Sequence, residues 1–239
     1  MLSLIKRFRL FAIVVAAAVS VAAISGCGSS SSSTSNTLLR VADTVSDGTA
    51  TIFNNGVAVA PAQTFFQSSK FFSTTPGVDS LTFSLSSAPV GVTYPAISQT
   101  LSTGTPYTAM LFGRADVTVA TDARFPKLVV TADDRTIPDT NKSRVRIVHA
   151  GPDLAACDVA LNSKALVTNV GYLSIGSYAD VDAGNQVFAV TLNGAGTAVA
   201  GGTFTFNSGQ LYTVYILESL STGSPVYSIQ VTNDSNATT

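Results

Sequence analysis

Short runs of alternating apolar and polar residues follow one another along most of the chain. In the run over residues 145–149, Val145, Ile147 and His149 fall on one face and Arg146 and Val148 on the other. Further runs rich in β-branched and aromatic residues cover 187–192, 203–206, 212–217 and 226–231. Clusters of Gly, Pro, Asn and Asp separate the runs, as turns separate strands. This two-residue period is typical of strands and predicts an all-β chain.

The same pattern occurs twice, with an offset of 105 to 107 residues. Each copy has an opening strand, at 39–43 in the first and 145–149 in the second. A turn glycine follows, Gly77 and Gly184, and then a Gly-x-x-Tyr segment at 104–107 and 209–212. An offset this constant predicts a tandem duplication of one domain, with a period too long for a solenoid. About seven short strands in about 100 residues is the size of an immunoglobulin-like domain. We therefore expect two tandem immunoglobulin-like antiparallel β-sandwiches of about seven strands each.

The N-terminus has a different pattern, with three basic residues between positions 6 and 9, an apolar run over 10–24, and small residues after it. This order is typical of a secretory signal, and the run is shorter than the about 20 apolar residues that span a bilayer. Residues 24–27, Ile-Ser-Gly-Cys, resemble the lipobox of bacterial lipoproteins. That resemblance implies cleavage before Cys27 and acylation of this cysteine. Several acyl chains hold a protein stably on a membrane.

Composition divides the chain into six parts. We expect a signal peptide over 1–26, then the lipidated cysteine and a serine-rich tether over 27–37, which has nothing to bury. The first repeat is 38–134, a polar linker is 135–143, the second repeat is 144–233, and a short tail is 234–239. From the duplication and the polar linker, we expect the two repeats to fold separately.

Charge and rare residues limit the chemistry. Without the three basic residues of the signal, ten basic residues oppose 14 acidic ones, which argues against a nucleic-acid partner because phosphates need clustered Lys and Arg. With Cys27 acylated only Cys157 is left, so we expect no intramolecular disulfide and a buried, inert thiol. The single histidine excludes a His-pair zinc site. We expect no catalytic site, cofactor or bound metal.

The opening of the second repeat carries a distinct motif. Residues 144–153, R-V-R-I-V-H-A-G-P-D, followed by A-C-D-V at 156–159, resemble a bacterial extracytoplasmic domain known as domain of unknown function forty-three ninety-seven. The resemblance covers most of residues 37–232 and implies a β-sandwich cell-surface module, usually in tandem, with no established activity. The positions that match its structural motif are Arg146, His149, Pro152, Asp153, Asp158, Gly184, Gly209 and Tyr212.

The first repeat departs from this motif at its most conspicuous position, where Asp43 stands in place of His149. Both residues come at the end of a predicted strand, just before a turn. Histidine and aspartate differ in charge, but either can hold a turn by bonding backbone groups. We therefore expect a structural role for His149.

The sequence thus predicts a lipid-anchored protein of the bacterial cell envelope that acts as a non-catalytic structural or protein-interaction module. Its expected partners are the membrane, through lipid on Cys27, and another envelope protein or polymer. Gly28, rather than aspartate, follows the cysteine, and the resemblance to lipoproteins then implies an outer membrane where the organism has one. The alternative is an extracytoplasmic binding module for a small ligand or metal, with the cleft between the repeats as its candidate site.

Overall fold

The computed structural model describes residues 36–221 and 224–235, and this part contains sixteen strands and no helix. The signal segment and Cys27 lie outside the described residues. The first repeat contains β1 (Thr37–Asp43), β2 (Thr49–Asn54), β3 (Val57–Thr64), β4 (Phe72–Thr74), β5 (Gly77–Leu85), β6 (Ile97–Leu101), β7 (Pro106–Phe112) and β8 (Lys127–Ala132). The second contains β9 (Lys142–His149), β10 (Cys157–Leu161), β11 (Lys164–Val170), β12 (Ala179–Asp182), β13 (Gly184–Leu192), β14 (Ala198–Phe206), β15 (Leu211–Ser221) and β16 (Ser224–Asn233). The prediction of an all-β fold is confirmed for these described residues.

Each repeat folds into two four-stranded sheets that enclose a hydrophobic core. In the first repeat the strand orders are β4-β1-β7-β8 and β3-β2-β5-β6, and in the second they are β12-β9-β15-β16 and β11-β10-β13-β14. Leu39 and Leu81 are fully buried in the first core, where strands of both sheets meet. Phe188 and Val214 are buried in the same way in the second. The described residues thus form two β-sandwiches in tandem.

Two details of the expected fold differ in the structure. Each sandwich has eight strands, where about seven were expected. Strands β4 and β12 have only three and four residues and lie at sheet edges, where sequences are polar and alternate weakly, so periodicity misses them. The sheets are also not purely antiparallel, because β1 pairs with β7, and β9 with β15, in parallel. Such a pair joins strands far apart in sequence, and periodicity carries no information about it.

The two sheets that contain β1 and β9, here called the inner sheets, also pack against each other. Leu39 and Val41 of β1 point into the first core, whereas Ala42 packs in a third cluster formed by both repeats. Strands β7, β9 and β15 alternate in the same way, so the inner sheets are buried on both faces. The sandwiches therefore form four stacked sheets within a single compact unit.

The duplication extends to uncommon backbone conformations. Phe66 and Leu173 occupy equivalent positions and have φ angles of 61° and 71°. Gly184 and Gly209 have φ angles of 105° and 77°, which glycine adopts at little cost because it has no Cβ. The motif glycines therefore shape turns of the second sandwich.

Candidate functional site at the junction of the two repeats

The alternation of β1 and β9 places one arginine of each repeat between the inner sheets. The sequence neighbours of Arg40 point into the first core, and those of Arg146 point into the second. A side chain between two inward-pointing residues of a strand leaves from the opposite face. Both guanidinium groups therefore lie in the junction between the repeats, with side chains only 3% and 2% exposed.

Each arginine pairs with an aspartate of the other repeat. Arg40 Nη2 lies 2.8 Å from Asp234 Oδ1, and Arg146 Nη1 lies 2.8 Å from Asp133 Oδ1. Asp133 directly follows β8, and Asp234 directly follows β16. Two ion pairs thus cross the junction in opposite directions, as they would in a two-fold interface between identical subunits.

A threonine of each repeat connects these ion pairs into one network. Arg40 Nε donates a hydrogen bond of 2.8 Å to Thr108 Oγ1, and the Thr108 hydroxyl donates one of 2.5 Å to Asp133 Oδ2. In the second repeat the corresponding bonds through Thr213 are 2.7 and 2.5 Å long. Six side chains, three from each repeat, are therefore linked across the junction.

The network contains two positive and two negative side chains and is largely excluded from water. Burial by itself would lower the pKa of Arg40, but the fields of Asp234 and Asp133 outweigh it and raise the pKa. Burial also opposes the charge of Arg146, whose pKa is raised by Asp133. Three atoms of the network, Arg40 Nη2, Arg146 Nη2 and Asp133 Oδ1, have no aligned hydrogen-bond partner within the described part of the chain. The two arginines thus stay charged, and electrostatic attraction complements the aligned hydrogen bonds.

An aromatic ring lies against each of these arginines. The guanidinium carbon of Arg40 is 5.1 Å from the ring centroid of Phe71, and that of Arg146 is 4.9 Å from Tyr178. Both distances are within the range of cation–π attraction. Tyr178 also donates a hydrogen bond of 2.6 Å to Asp234 Oδ2, for which Phe71 has no equivalent group. The aspartate of the second repeat is therefore held by one additional donor.

Apolar side chains of both repeats fill the centre of the junction. Phe66 packs edge-on against Tyr215 with 5.6 Å between ring centroids, and Phe112 packs against Tyr172 with 6.3 Å. Each pair joins one residue of the first repeat to one of the second. The buried residues around these pairs are Ala42, Met110, Val148, Ala150 and Leu217. Burial of this apolar surface favours the docked arrangement.

A second group of charges lies where the β7–β8 loop of the first repeat meets the turn after β9. Arg114 Nη1 donates a hydrogen bond of 2.6 Å to Asp153 Oδ2, and Arg124 Nη1 lies 3.3 Å from Asp153 Oδ1. Glu218, the only glutamate of the chain, accepts the backbone N–H of Asp153 at 2.7 Å. Its side chain is only 2% exposed, and burial raises its pKa. We call these four side chains the rim.

His149 is buried at the end of β9. Its Nε2 lies 3.5 Å from the carbonyl oxygen of Ala155, and its ring centroid is 6.5 Å from that of Tyr172. Burial lowers its pKa, so the ring is neutral at neutral pH. In the first repeat Asp43 accepts the backbone N–H of Val45 at 2.9 Å, and burial raises its pKa to about 7. Asp43 thus holds its turn as expected, whereas His149 reaches a backbone group only through a long contact.

The model of a protein family matches the chain twice, over residues 37–159 and 143–239. The family is described as Domain of unknown function (DUF4397). The chain belongs to this family. No curated protein matches it. The resemblance expected from the motif and its occurrence in tandem are therefore confirmed.

Three residues of the DUF4397 motif in the second repeat lie at the junction. Arg146 and Asp153 bind residues of the first repeat. His149 lies beside them, in contact with an aromatic ring of the shared cluster. Pro152 belongs to the turn that carries Asp153 to the arginines of the rim. This part of the motif therefore joins two DUF4397 repeats.

The other motif residues keep their contacts within the second sandwich. Asp158 accepts the backbone N–H of Asn169 at 2.7 Å, and the Tyr212 hydroxyl accepts that of Asn207 at 2.9 Å. Gly184 and Gly209 form turns, as described above. Cys27, the expected lipidation site, lies outside the described residues.

Sequence reasoning missed several residues of the junction. The two aspartates had a usable signal, since each directly follows the last strand of its repeat. The threonines had one too, because both follow the tyrosine of the repeated Gly-x-x-Tyr segment. Arg114 and Glu218 have no counterpart in the other repeat, so the duplication gives no indication of them.

Three further findings concern metal-binding groups, apolar helices and the free thiol. Among residues 36–221 and 224–235, no three His, Cys, Asp or Glu side chains are grouped so that they could hold a metal ion. Nor does this part of the chain contain a helix long and apolar enough to cross a membrane. Cys157 is fully buried, and burial raises the pKa of its thiol to about 11, so the thiol is protonated and a poor nucleophile.

Proposed function

We propose that this DUF4397 protein is a lipid-anchored protein of the bacterial cell envelope whose two sandwiches act as one non-catalytic structural or protein-interaction unit. The observation that supports this proposal most is that two charged residues of the DUF4397 motif bind the other repeat. Arg146 and Asp153 bind the first repeat, so their charges are engaged in docking the repeats. A junction of paired charges and packed aromatic rings favours a fixed arrangement of the two sandwiches. Such a unit suits display of a rigid surface to a partner.

The immunoglobulin-like interpretation is part of this proposal. Two sheets around one core in about 100 residues support it. Domains of this architecture commonly serve as cell-surface modules, which is an argument by analogy and not one from a site.

A binding module for a small ligand or metal is the second candidate. It is favoured by three buried polar atoms that have no hydrogen-bond partner among the described residues: Glu218 Oε1, Tyr172 Oη and His149 Nδ1. Buried polar groups are normally satisfied, so a polar ligand or a water molecule would be stabilised beside them.

Photo-crosslinking in intact cells distinguishes the two candidates. A photoreactive residue is placed at exposed positions such as Val187 or Val226, which are 52% and 48% exposed. We expect a discrete crosslinked product with an envelope component, which changes with the labelled position. In parallel, thermal shifts of the purified protein are measured with metals and small polar ligands. Saturable stabilisation by a ligand, without any crosslink, would replace the proposed function by the second candidate.

A further inference from the structure

The second sandwich has a small apolar pocket between its edge strands β11 and β12. The pocket has a volume of about 150 Å³ and is lined mainly by Val145, Ile147, Leu166, Val167 and Ala179. Val145 and Ile147 belong to the hydrophobic core of this sandwich. The pocket is therefore an opening from the surface onto the core.

The first repeat shows what fits at this position. In the pairing of β4 with β1, Phe72 is opposite Leu39, and in the pairing of β12 with β9, Ala179 is opposite Val145. Leu39 and Val145 are equivalent residues of the duplication, so Phe72 and Ala179 are equivalent as well. The Phe72 side chain packs against the core of the first sandwich. Where the first sandwich has its own phenyl ring, the second has a methyl group and an open pocket.

Size and surroundings indicate the kind of occupant. Pockets for whole ligands usually measure about 300–1,000 Å³, whereas this one suits a single apolar side chain. It adjoins a cleft of about 240 Å³ that shares Leu166 and is lined by the charged residues Lys142, Lys164, Asp180 and Asp182. An apolar pocket surrounded by polar residues is the usual anchor point of a protein interface. Strand β12 is also the edge of its sheet, where the backbone of a partner can approach.

We propose that this pocket binds a phenylalanine side chain of a partner polypeptide, in the place that Phe72 fills in the first sandwich. The inference rests on the proposed function as an interaction module and names the chemistry of the contact. The pocket supplies the apolar anchor, and the flanking charges select polar residues on either side of it.

Methyl NMR of the full chain tests the proposal, with N-acetylphenylalaninamide as the probe. An inserted ring shifts nearby methyl resonances through its ring current, so we expect saturable shifts at Val145, Ile147, Leu166 and Val167. One buried side chain gives millimolar affinity, and the alanine analogue should bind at least about tenfold more weakly. Absence of saturable shifts at these four residues would overturn the proposal.

Two variants give matched controls. A179F supplies the ring from the chain itself and should abolish the shifts, while its spectrum away from the pocket stays unchanged. F72A should open an equivalent pocket and add probe-induced shifts at Leu39 and Val41. Shifts of equal size in A179F and in the unchanged chain would contradict the assignment of the site. Loss of the pocket site together with a positive crosslink in cells would remove this inference and leave the proposed function standing.

Discussion

Arg40 of the first repeat and Asp234 of the second are in direct contact, with 2.8 Å between Nη2 and Oδ1, although 194 residues separate them in sequence. Their side chains are 3% and 5% exposed. In the reverse pair, Arg146 Nη1 also lies 2.8 Å from Asp133 Oδ1. Because both pairs are buried and both cross the junction, the stability of each repeat depends on the presence of the other.

Removal of one partner from this network should be strongly destabilising. In Asp234→Ala the buried charge of Arg40 loses its nearest carboxylate and keeps only Asp133, 3.6 Å from its Nε, and the Thr213 and Tyr178 hydroxyls lose their acceptor. Breaking a buried pair in this way costs about 3–5 kcal/mol. Chemical denaturation of the full chain measures the loss.

The matched control is Asp182→Ala, which removes the exposed ion pair with Lys142, whose side chain is 44% exposed. Exposed pairs contribute less than about 1 kcal/mol. Replacement of both members of the buried pair, Arg40→Met with Asp234→Leu, should recover the part of the loss that comes from the broken ion pair, whereas the Thr213 and Tyr178 hydroxyls stay without their acceptor. Equal effects of Asp234→Ala and Asp182→Ala would show that the buried network contributes nothing.

The two repeats should also be separable. We expect residues 37–136 and residues 137–239 each to unfold cooperatively, since each sandwich has its own core. Their melting temperatures should lie below that of the full chain, because separation exposes the aromatic residues of the junction. Circular dichroism gives the transitions, and size-exclusion chromatography of the mixture should show the halves associating. Failure of both halves to unfold cooperatively would mean that the repeats share one folding unit.

The fold could be predicted from sequence to the level of two tandem sandwiches. Strong alternation, as in β9 and β13, identifies central strands, and turn glycines such as Gly184 mark their ends. The short edge strands β4 and β12 were not predicted, because three or four residues are too few to show a two-residue period. The stacking of the inner sheets was not predicted either. Strand β7 does end in the continuous apolar run Ala-Met-Leu-Phe, which is typical of a strand that is covered on both faces.

The junction was less predictable than the fold. Arg146 and Asp153 could be selected as motif residues, but their partners Asp133 and Arg114 lie in parts of the first repeat that the motif does not include. Alternation places the side chain of Arg146 on the face of its strand that points away from the core. In an isolated sandwich this face would be exposed to solvent. Only the other repeat, docked on that face, makes a buried ion pair there, and a single sequence does not contain that geometry.

Asp43 should make the protein less stable as the pH rises. Burial raises the pKa of Asp43 from 3.8 to about 7, so the folded state holds a proton that the unfolded chain has already released. Stability from this group is fully present below about pH 4 and is lost as the pH rises through about 7. Asp43→Asn keeps an acceptor for Val45 but cannot ionise. Between pH 4 and pH 8, the free energy of unfolding of Asp43→Asn should therefore rise by on the order of 2–4 kcal/mol relative to that of the unchanged chain.

Unfolding free energies at several pH values check this prediction. The difference between Asp43→Asn and the unchanged chain should grow with pH. A difference that does not change between pH 4 and pH 8 would show that Asp43 is ionised normally in the folded state.

Lipid attachment should depend on Cys27. The basic, apolar and small residues before it are typical of a lipoprotein signal, and Cys27 supplies the thiol that we propose is acylated. Cys27→Ser should therefore abolish incorporation of a clickable palmitate analogue in growing cells. Cys157→Ser is the control and should label normally, since that thiol is buried. Equal labelling of Cys27→Ser and the unchanged chain would disprove the lipid anchor.

His149 is the residue whose chemistry most invites a metal-binding role, and we expect it to have a structural one. Its candidate co-ligands are engaged elsewhere, Asp153 with Arg114 and Asp158 with a backbone N–H. His149→Ala should cost on the order of 1–2 kcal/mol at neutral pH, the range for loss of one buried polar contact. Because burial lowers the pKa of the ring, the folded state resists protonation, so stability from this group is lost as the pH falls below 6.5. The variant should lack that loss.

Isothermal titration with zinc, copper and nickel should show no binding above background in either protein, and micromolar binding that disappears in His149→Ala would establish the ligand-binding alternative instead.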